Sequence, residues 1–294
     1  MFYPITYDEP VFRPPAEAFS AIIQATLGCS WNKCAFCEMY TSKSFKTRKF
    51  EDVKKDIQIL SHMYAGVKKV FLADGNAFVL SAGKLVSILN EINKKFGKIQ
   101  RIASYALPSD ILAKSETELK EIKDSGLKLL YVGIETGFDD LLKLHNKGES
   151  KQSTIEGILK AQECGIDTSV MILNGLGGKE HTKKHAVHSA EVINKVNPKF
   201  LSTLTLSFPY GINHFIKRYT NTFTPLSIKY LFYELKQFIS EINAKGTIFR
   251  SDHISNQLIL KGVLSKDKSK LLQLLDDSIK NTPEDMYPEP SSVL

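Results

Sequence analysis

Ser20-Ala-Ile-Ile-Gln-Ala-Thr26 runs directly into Leu27-Gly-Cys29-Ser-Trp-Asn-Lys-Cys34-Ala-Phe-Cys37-Glu-Met-Tyr40. The first stretch is a short apolar run of the kind that forms a strand covered on both faces. The second places three of the four cysteines of the chain within nine residues. Gly28 lets the backbone turn sharply before them. The cysteine loop therefore occupies the C-terminal end of the first strand, the edge where α/β folds collect ligands. Three thiolates form a soft donor set suited to zinc, copper(I) or an iron–sulfur cluster. Structural zinc takes four ligands, and no fourth Cys or His follows within twenty residues, so zinc would need a distant His. Three ligands on a four-iron cluster leave one iron open to a substrate or cofactor.

Outward from that loop, β-rich runs recur at 67–73, 99–105, 127–134, 167–173, 199–206 and 247–250. Helical patterns separate them. Val53, Ile57, Leu60 and Tyr64 share one face of the first, and Leu85, Ile88, Leu89 and Ile92 one face of the second. Further helices are expected over 109–124, 153–164, 181–196, 226–242 and 266–280. Gly66, Gly126, Gly165 and Gly246 stand where helices should end. Such alternation implies a parallel sheet built from right-handed crossovers. Residues 1–19 are Pro-rich and read as an extended arm, and 282–294 as a frayed tail.

Composition narrows the class. The chain has 294 residues, 43% hydrophobic and 24% charged, which excludes a disordered or fibrous protein. No apolar run approaches a membrane span. The first ten residues lack the basic and apolar regions of a signal peptide, so a cytoplasmic location is the default expectation. The four cysteines are too few for a disulfide scaffold. The net charge of +7 fits an anionic substrate, although Lys-rich surfaces are usually only solvated.

Strand, Gly-Cys29, four residues, Cys34, two residues including Phe36, Cys37, then a βα array: this resembles the radical S-adenosylmethionine (radical SAM) superfamily over roughly residues 20–210. The family's usual first spacing is three residues, so the four found here mark a variant subgroup. The resemblance implies a partial (β/α)6 TIM-like barrel over 20–210, with 211–294 closing it and shaping the substrate pocket. It implies a [4Fe–4S] cluster on Cys29, Cys34 and Cys37 and SAM on the open iron, with Phe36 beside the cofactor. A reduced cluster would cleave SAM to a 5′-deoxyadenosyl radical that abstracts hydrogen from a substrate. That makes the protein an oxidoreductase-like, anaerobic enzyme served by an electron donor such as flavodoxin or ferredoxin.

The resemblance also places cofactor contacts at strand ends. Asp74, Gly75 and Asn76 would form the turn whose carbonyls meet the SAM amino group. Ser104 would lie near the ribose or methionine, beside Tyr105. Glu135, costly to bury alone, would meet the ribose or ammonium, the alternative being a salt bridge to a neighbouring Lys, and Lys147 would meet the SAM carboxylate. The glycine turn at Gly175 would approach the adenosine. His181, His185 and His188 share a helix face, which reads as a polar stripe. Arg250, Asp252 and His253 are the candidate substrate residues: Arg grips carboxylate or phosphate, and His moves protons. Cys164 reads as a buried structural thiol.

Three other functions compete. The charge suggests a tRNA-modifying member, which steep salt dependence of binding would reveal. The Glu135-to-Lys147 spacing resembles that of coproporphyrinogen-type tetrapyrrole enzymes. A non-catalytic metal scaffold would hold one zinc and ignore SAM. The expected chain lacks a cobalamin domain, an auxiliary cluster domain and an RNA-binding module.

Overall fold

The computed structural model describes residues 5–288. Its elements run β1 (Ala21–Gln24), β2 (Thr26–Leu27), β3 (Lys46–Thr47), α1 (Phe50–Met63), β4 (Lys69–Ala73), α2 (Ala82–Phe96), β5 (Arg101–Tyr105), α3 (Pro108–Leu112), α4 (Glu116–Asp124) and β6 (Leu127–Glu135). Then follow α5 (Asp139–Leu144), α6 (Lys151–Glu163), β7 (Asp167–Asn174), α7 (Gly178–Val196), β8 (Phe200–Thr205), α8 (Ile212–Tyr219), α9 (Ile228–Glu241), β9 (Ile248–Ser251), β10 (Leu260–Val263) and α10 (Leu264–Asn281). The class is α/β with mostly parallel strands, as the alternation requires. Among the described residues, no helix is long and apolar enough to cross a membrane.

The chain divides into two compact units. The first comprises residues 1–32, 39–132 and 156–168, and the second 33–38, 133–155 and 169–294. In the first, β1, β4, β5 and the start of β6 pair in parallel, with Ile23 beside Leu72 and Leu72 beside Ser104. Val53, Ile57 and Leu60 of α1 are all fully buried, as their spacing predicts. Each contributes roughly 1.5–3 kcal/mol by burial. Ser115 and Glu118 form a reciprocal capping box at the start of α4. It divides the helix expected over 109–124 into α3 and α4.

The proline-rich arm is more than a surface strap. Pro15–Glu17 make a 3-10 turn that buries Glu17 completely. Its carboxylate accepts from the Tyr131 hydroxyl at 2.6 Å and pairs with Arg101. Residues 1–4 of the arm and 289–294 of the tail lie outside the described residues.

In the second unit β7, β8 and β9 are parallel, and β10 runs antiparallel to β9 at the edge. The alternation is strict. Val170, Ile172 and Asn174, with Leu201, Thr203 and Thr205 and with Phe249 and Ser251, occupy the buried face. Helix α9 packs against both α7 and α10. Met171, Ser202 and Arg250 form a cross-strand row on the other, more open face.

Four of the elements named above escape the sequence patterns: α5, α8, β10 and the two-residue β3. Helices α5 and α8 are six and eight residues long, too short for a periodic stripe to stand out. Gly165 and Gly126 do sit at left-handed positions just after α6 and α4 (φ +81° and +107°). Gly246 instead falls five residues past α9, in the bend before β9.

Candidate functional site

Cys29 lies in the first unit, and Cys34 and Cys37 in the second; the loop passes between them at residues 32 and 33. All three are half-buried thiols, and none of the four cysteines is in a disulfide. Among the described residues, no three His, Cys, Asp or Glu side chains already stand as a metal-holding group. The fit of the loop to a cluster is therefore judged from its donors and surroundings.

In the first unit the β4 turn is fastened to the base of the loop. Asp74 is fully buried and accepts from the Gly28 amide at 3.0 Å and the Lys43 ammonium at 2.9 Å. Burial raises its carboxyl above the ordinary range, although the bonds from Lys43 and Gly28 pull the other way. Gly75 donates its amide to the Gly28 carbonyl at 3.1 Å. A Cβ on Gly75 would lie 2.5 Å from the Tyr40 ring and 3.0 Å from the Cys29 Cβ, so only glycine fits there. Asn76 donates to Ser30 at 2.7 Å and to Asp110 at 2.5 Å. Its Oδ1 is buried with no donor, an anomaly for a native polar atom. An ammonium or hydroxyl of a bound cofactor would satisfy it. Ser104 spends its hydroxyl on the backbone, donating to the Leu72 carbonyl at 3.2 Å.

In the second unit the segment 34–38 is held on both sides. The Ala35 amide donates to the His145 carbonyl at 2.9 Å. Arg218 of α8 donates to the Cys34 carbonyl at 2.7 Å, the Cys37 carbonyl at 3.0 Å and the Glu38 carboxylate at 2.6 Å. Beneath lies an apolar cluster of Ala35, Leu141, Leu176, Leu206, Phe215, Tyr219 and Phe223. Phe36 meets His145 edge-on, with centroids 5.6 Å apart.

Glu135 and Lys147, expected as two separate cofactor contacts, form one buried ion pair at 3.0 Å. Burial lowers the Lys147 pKa, but Glu135 and the nearby Cys34 and Cys37 outweigh it and raise it. The ammonium also lies 5.7 Å from the Phe36 centroid. Glu135 ends β6 at φ +64°, a left-handed position that costs a non-glycine residue of order 1 kcal/mol or more. Such strain concentrates at ligand sites.

The Gly175 amide is already engaged, donating to Glu234 Oε1 at 2.6 Å. Glu234, fully buried on α9, also accepts from the Thr182 hydroxyl. His185 is not part of a solvated stripe. It is buried, 3.7 Å from Glu234, with its Nδ1 2.8 Å from the Thr136 hydroxyl. His188 is half-exposed beside Glu191, and His181 leans on Phe138. Sequence reasoning missed Glu234, although a lone carboxylate among Leu231, Phe232, Leu235 and Phe238 was a readable signal. It missed Arg218 for want of any local signal.

Burial lifts the Glu234 carboxyl to about 7 and drops the His185 imidazole to about 3. Their signs differ. The raised Glu234 contributes stability that is full below its unfolded value near 4.3 and is lost as pH rises through about 7. The depressed His185 contributes stability that is present above about 6.5 and is lost as pH falls toward 3. Glu234→Gln removes only the first. Relative to wild type, the variant is expected to gain about 2–4 kcal/mol between pH 5 and pH 8. Urea midpoints at the two pH values check this; a constant difference would mean that Glu234 does not titrate in that window.

At the end of β9 the polar residues divide between the two faces. Ser251 and Ser255 are buried, and the Ser255 hydroxyl accepts from the Thr205 amide at 3.1 Å. Arg250 is exposed on the open face, 3.8 Å from Asp252, which also binds Lys261 at 3.0 Å. The Ser255 amide donates to His253 Nδ1 at 3.2 Å, which leaves the ring proton on Nε2. Burial lowers the His253 pKa. Cys164 is buried, as expected.

Comparison with known proteins agrees with this architecture. A protein named as an uncharacterized methyltransferase, from Pyrococcus horikoshii, is 23% identical over 191 residues, 64% of this chain and 39% of that protein. The heme chaperone HemW of Bacillus subtilis is 27% identical over 144 residues, 48% of this chain and 37% of that one. The chain thus spans well under half the length of these two relatives. Among solved structures, the Escherichia coli coproporphyrinogen III oxidase HemN, described as a radical SAM enzyme, superposes with a TM-score of 0.54. It is 17% identical, over 67% of this chain and 46% of HemN. The radical SAM methyltransferase TsrM of Kitasatospora setae, solved with cobalamin and a [4Fe–4S] cluster, gives 0.52 at 20% identity, over 65% and 38%. The sequence profile of the radical SAM superfamily matches residues 23–193, more than half of the chain, and the chain belongs to that superfamily.

Proposed function

We propose that this chain is a radical SAM enzyme whose Cys29, Cys34 and Cys37 ligate a [4Fe–4S] cluster, and that it acts on a small anionic substrate. The observation that carries the proposal is the buried Lys147–Glu135 ion pair, whose ammonium lies 5.7 Å from the ring centroid of Phe36, the residue before Cys37. A buried cation beside two thiols suits thiolate ligands and an anionic cofactor. When bound at these residues, the cluster and SAM would supply one-electron reductive cleavage and hydrogen abstraction from the substrate.

The chain's own residues bind and orient. Lys147 offers its ammonium to the SAM carboxylate while Glu135 keeps that cation in place. Asn76 Oδ1 accepts from the methionyl ammonium. Phe36 and the apolar cluster beneath it keep water from the thiols. Arg250, on the open face with Ser202, binds a substrate carboxylate or phosphate through its planar fork. Asp252 orients Arg250 and Lys261, and His253 holds a transferable proton on Nε2. Residues 20–210 form the catalytic core, with 211–294 shaping the substrate pocket. A flavodoxin or ferredoxin supplies the electron.

The test is anaerobic reconstitution with iron and sulfide, reduction, and EPR with and without SAM. A [4Fe–4S]⁺ signal that changes when SAM is added is expected. A cluster signal indifferent to SAM, or one zinc per chain and no cluster, would overturn the proposal.

A further inference from the structure

Arg218 belongs to a helix outside the segment that matches the superfamily profile. It nevertheless makes three hydrogen bonds to the 34–38 segment. The two carbonyls it grips are those of the two second-unit cysteines. Its third bond goes to Glu38, which is 6% exposed and also meets His214 of the same helix at 3.2 Å. The next residue, Tyr219, is fully buried with its ring 4.7 Å from that of His145, and the His145 carbonyl receives the Ala35 amide. Phe215, one turn earlier, packs into the same cluster as Ala35.

One amphipathic turn of α8 therefore supplies both the apolar floor of the loop and the cation that ties its backbone. Two of the bonds run to main-chain oxygens and the third to a carboxylate, so they hold the loop without consuming a thiol. A guanidinium can grip two carbonyls and a carboxylate together because its donors lie in a fixed plane. A lysine ammonium carries the same charge but not that fork.

We propose that Arg218 is a positioning residue of the cysteine loop: it fixes Cys34 and Cys37 relative to each other before a cluster arrives and stands as a fixed positive charge beside them afterwards. This rests on the cluster assignment above only for its second half. In the cluster-free chain the latch restrains the loop and slows attack on the two thiols. In the loaded chain its charge favours the reduced, more negative cluster. Loss of the charge makes reduction harder, whereas replacement by lysine keeps most of the charge and loses the geometry.

The experiment compares wild type, Arg218→Lys and Arg218→Gln, each as the 294-residue chain. Alkylation of each cysteine in the cluster-free protein is followed by peptide mass spectrometry. Charge-assisted hydrogen bonds are worth about tenfold or more in a local opening equilibrium. Cys34 and Cys37 are therefore expected to react about tenfold faster or more in Arg218→Gln and to an intermediate degree in Arg218→Lys. Cys29, in the other unit, and buried Cys164 should keep their wild-type rates. Unchanged rates at Cys34 and Cys37 would overturn the proposal, as would equal acceleration at all four, which would signal general loosening. In the reconstituted proteins, Arg218→Gln should shift the cluster to a more negative potential and Arg218→Lys should largely restore it. Equal potentials in all three would overturn the electrostatic half. Wild type that takes up no cluster would sink the cluster assignment but leave the alkylation result standing.

Discussion

Replacing Glu135 with leucine is expected to destabilise the cluster-free protein by about 3–5 kcal/mol, the cost of leaving one charge of a buried pair uncompensated. The Lys147 ammonium is nearly inaccessible to water and pairs with the Glu135 carboxylate at 3.0 Å. The Phe36 ring 5.7 Å away recovers at most a fraction of the lost attraction. The double variant Glu135→Leu, Lys147→Met removes both charges and should regain most of the loss, because well-packed apolar replacements of a buried pair are often neutral. Urea midpoints of the four proteins close the cycle. Additivity within about 0.5 kcal/mol would mean that the two residues are not coupled. If Lys147 also meets the SAM carboxylate, Lys147→Met should weaken SAM binding more than the double variant's stability accounts for.

Substituting alanine for Cys37 or Cys34 is expected to abolish cluster retention while leaving the fold in place. The loop is held at that point by backbone atoms. The Ala35 amide and the Cys34 and Cys37 carbonyls carry the bonds, and an alanine supplies the same atoms. Only the thiolate donor is lost. With two protein ligands left, a four-iron cluster should not survive gel filtration, so iron per chain should fall to background. Cys29→Ala should behave alike. Cys164→Ala is the internal control: its sulfur donates to the Glu116 carbonyl at 3.8 Å, and iron content should match wild type. Full iron retention in Cys37→Ala, or loss in Cys164→Ala, would refute the ligand assignment.

Some of this site was legible in the chain and some was not. The loop Cys29–Cys37 could be read because donor type and spacing are local properties. The strand that delivers it could be read because Ala21–Ile23 of β1 and Val70–Ala73 of β4 are continuous apolar runs. The strict alternation along β7 and β8 decided which residues point to each face, but a sequence does not say which face a helix will cover. Asn174 and Thr205 went under α9, while Ser202 and Arg250 stayed open. Glu135 and Lys147 were singled out as functional, and a salt bridge from Glu135 to a Lys was the alternative, yet that the Lys is Lys147 was not legible. Twelve residues and the short helix α5 separate them, and the left-handed turn at Glu135 redirects the chain.

What the sequence by itself determined is the α/β class, the positions of most helices and strands, and the thiol donor set. Each depends on residues within a few positions of one another, where periodicity and turn chemistry operate. What only the tertiary structure decided is how the charges and backbone donors are paired. Arg218 reaches the loop across more than 180 residues, Glu17 reaches Tyr131 across 114, and Glu234 reaches Gly175 across 59. A buried charge or amide must find a partner wherever folding brings one, and no local pattern records which one that will be.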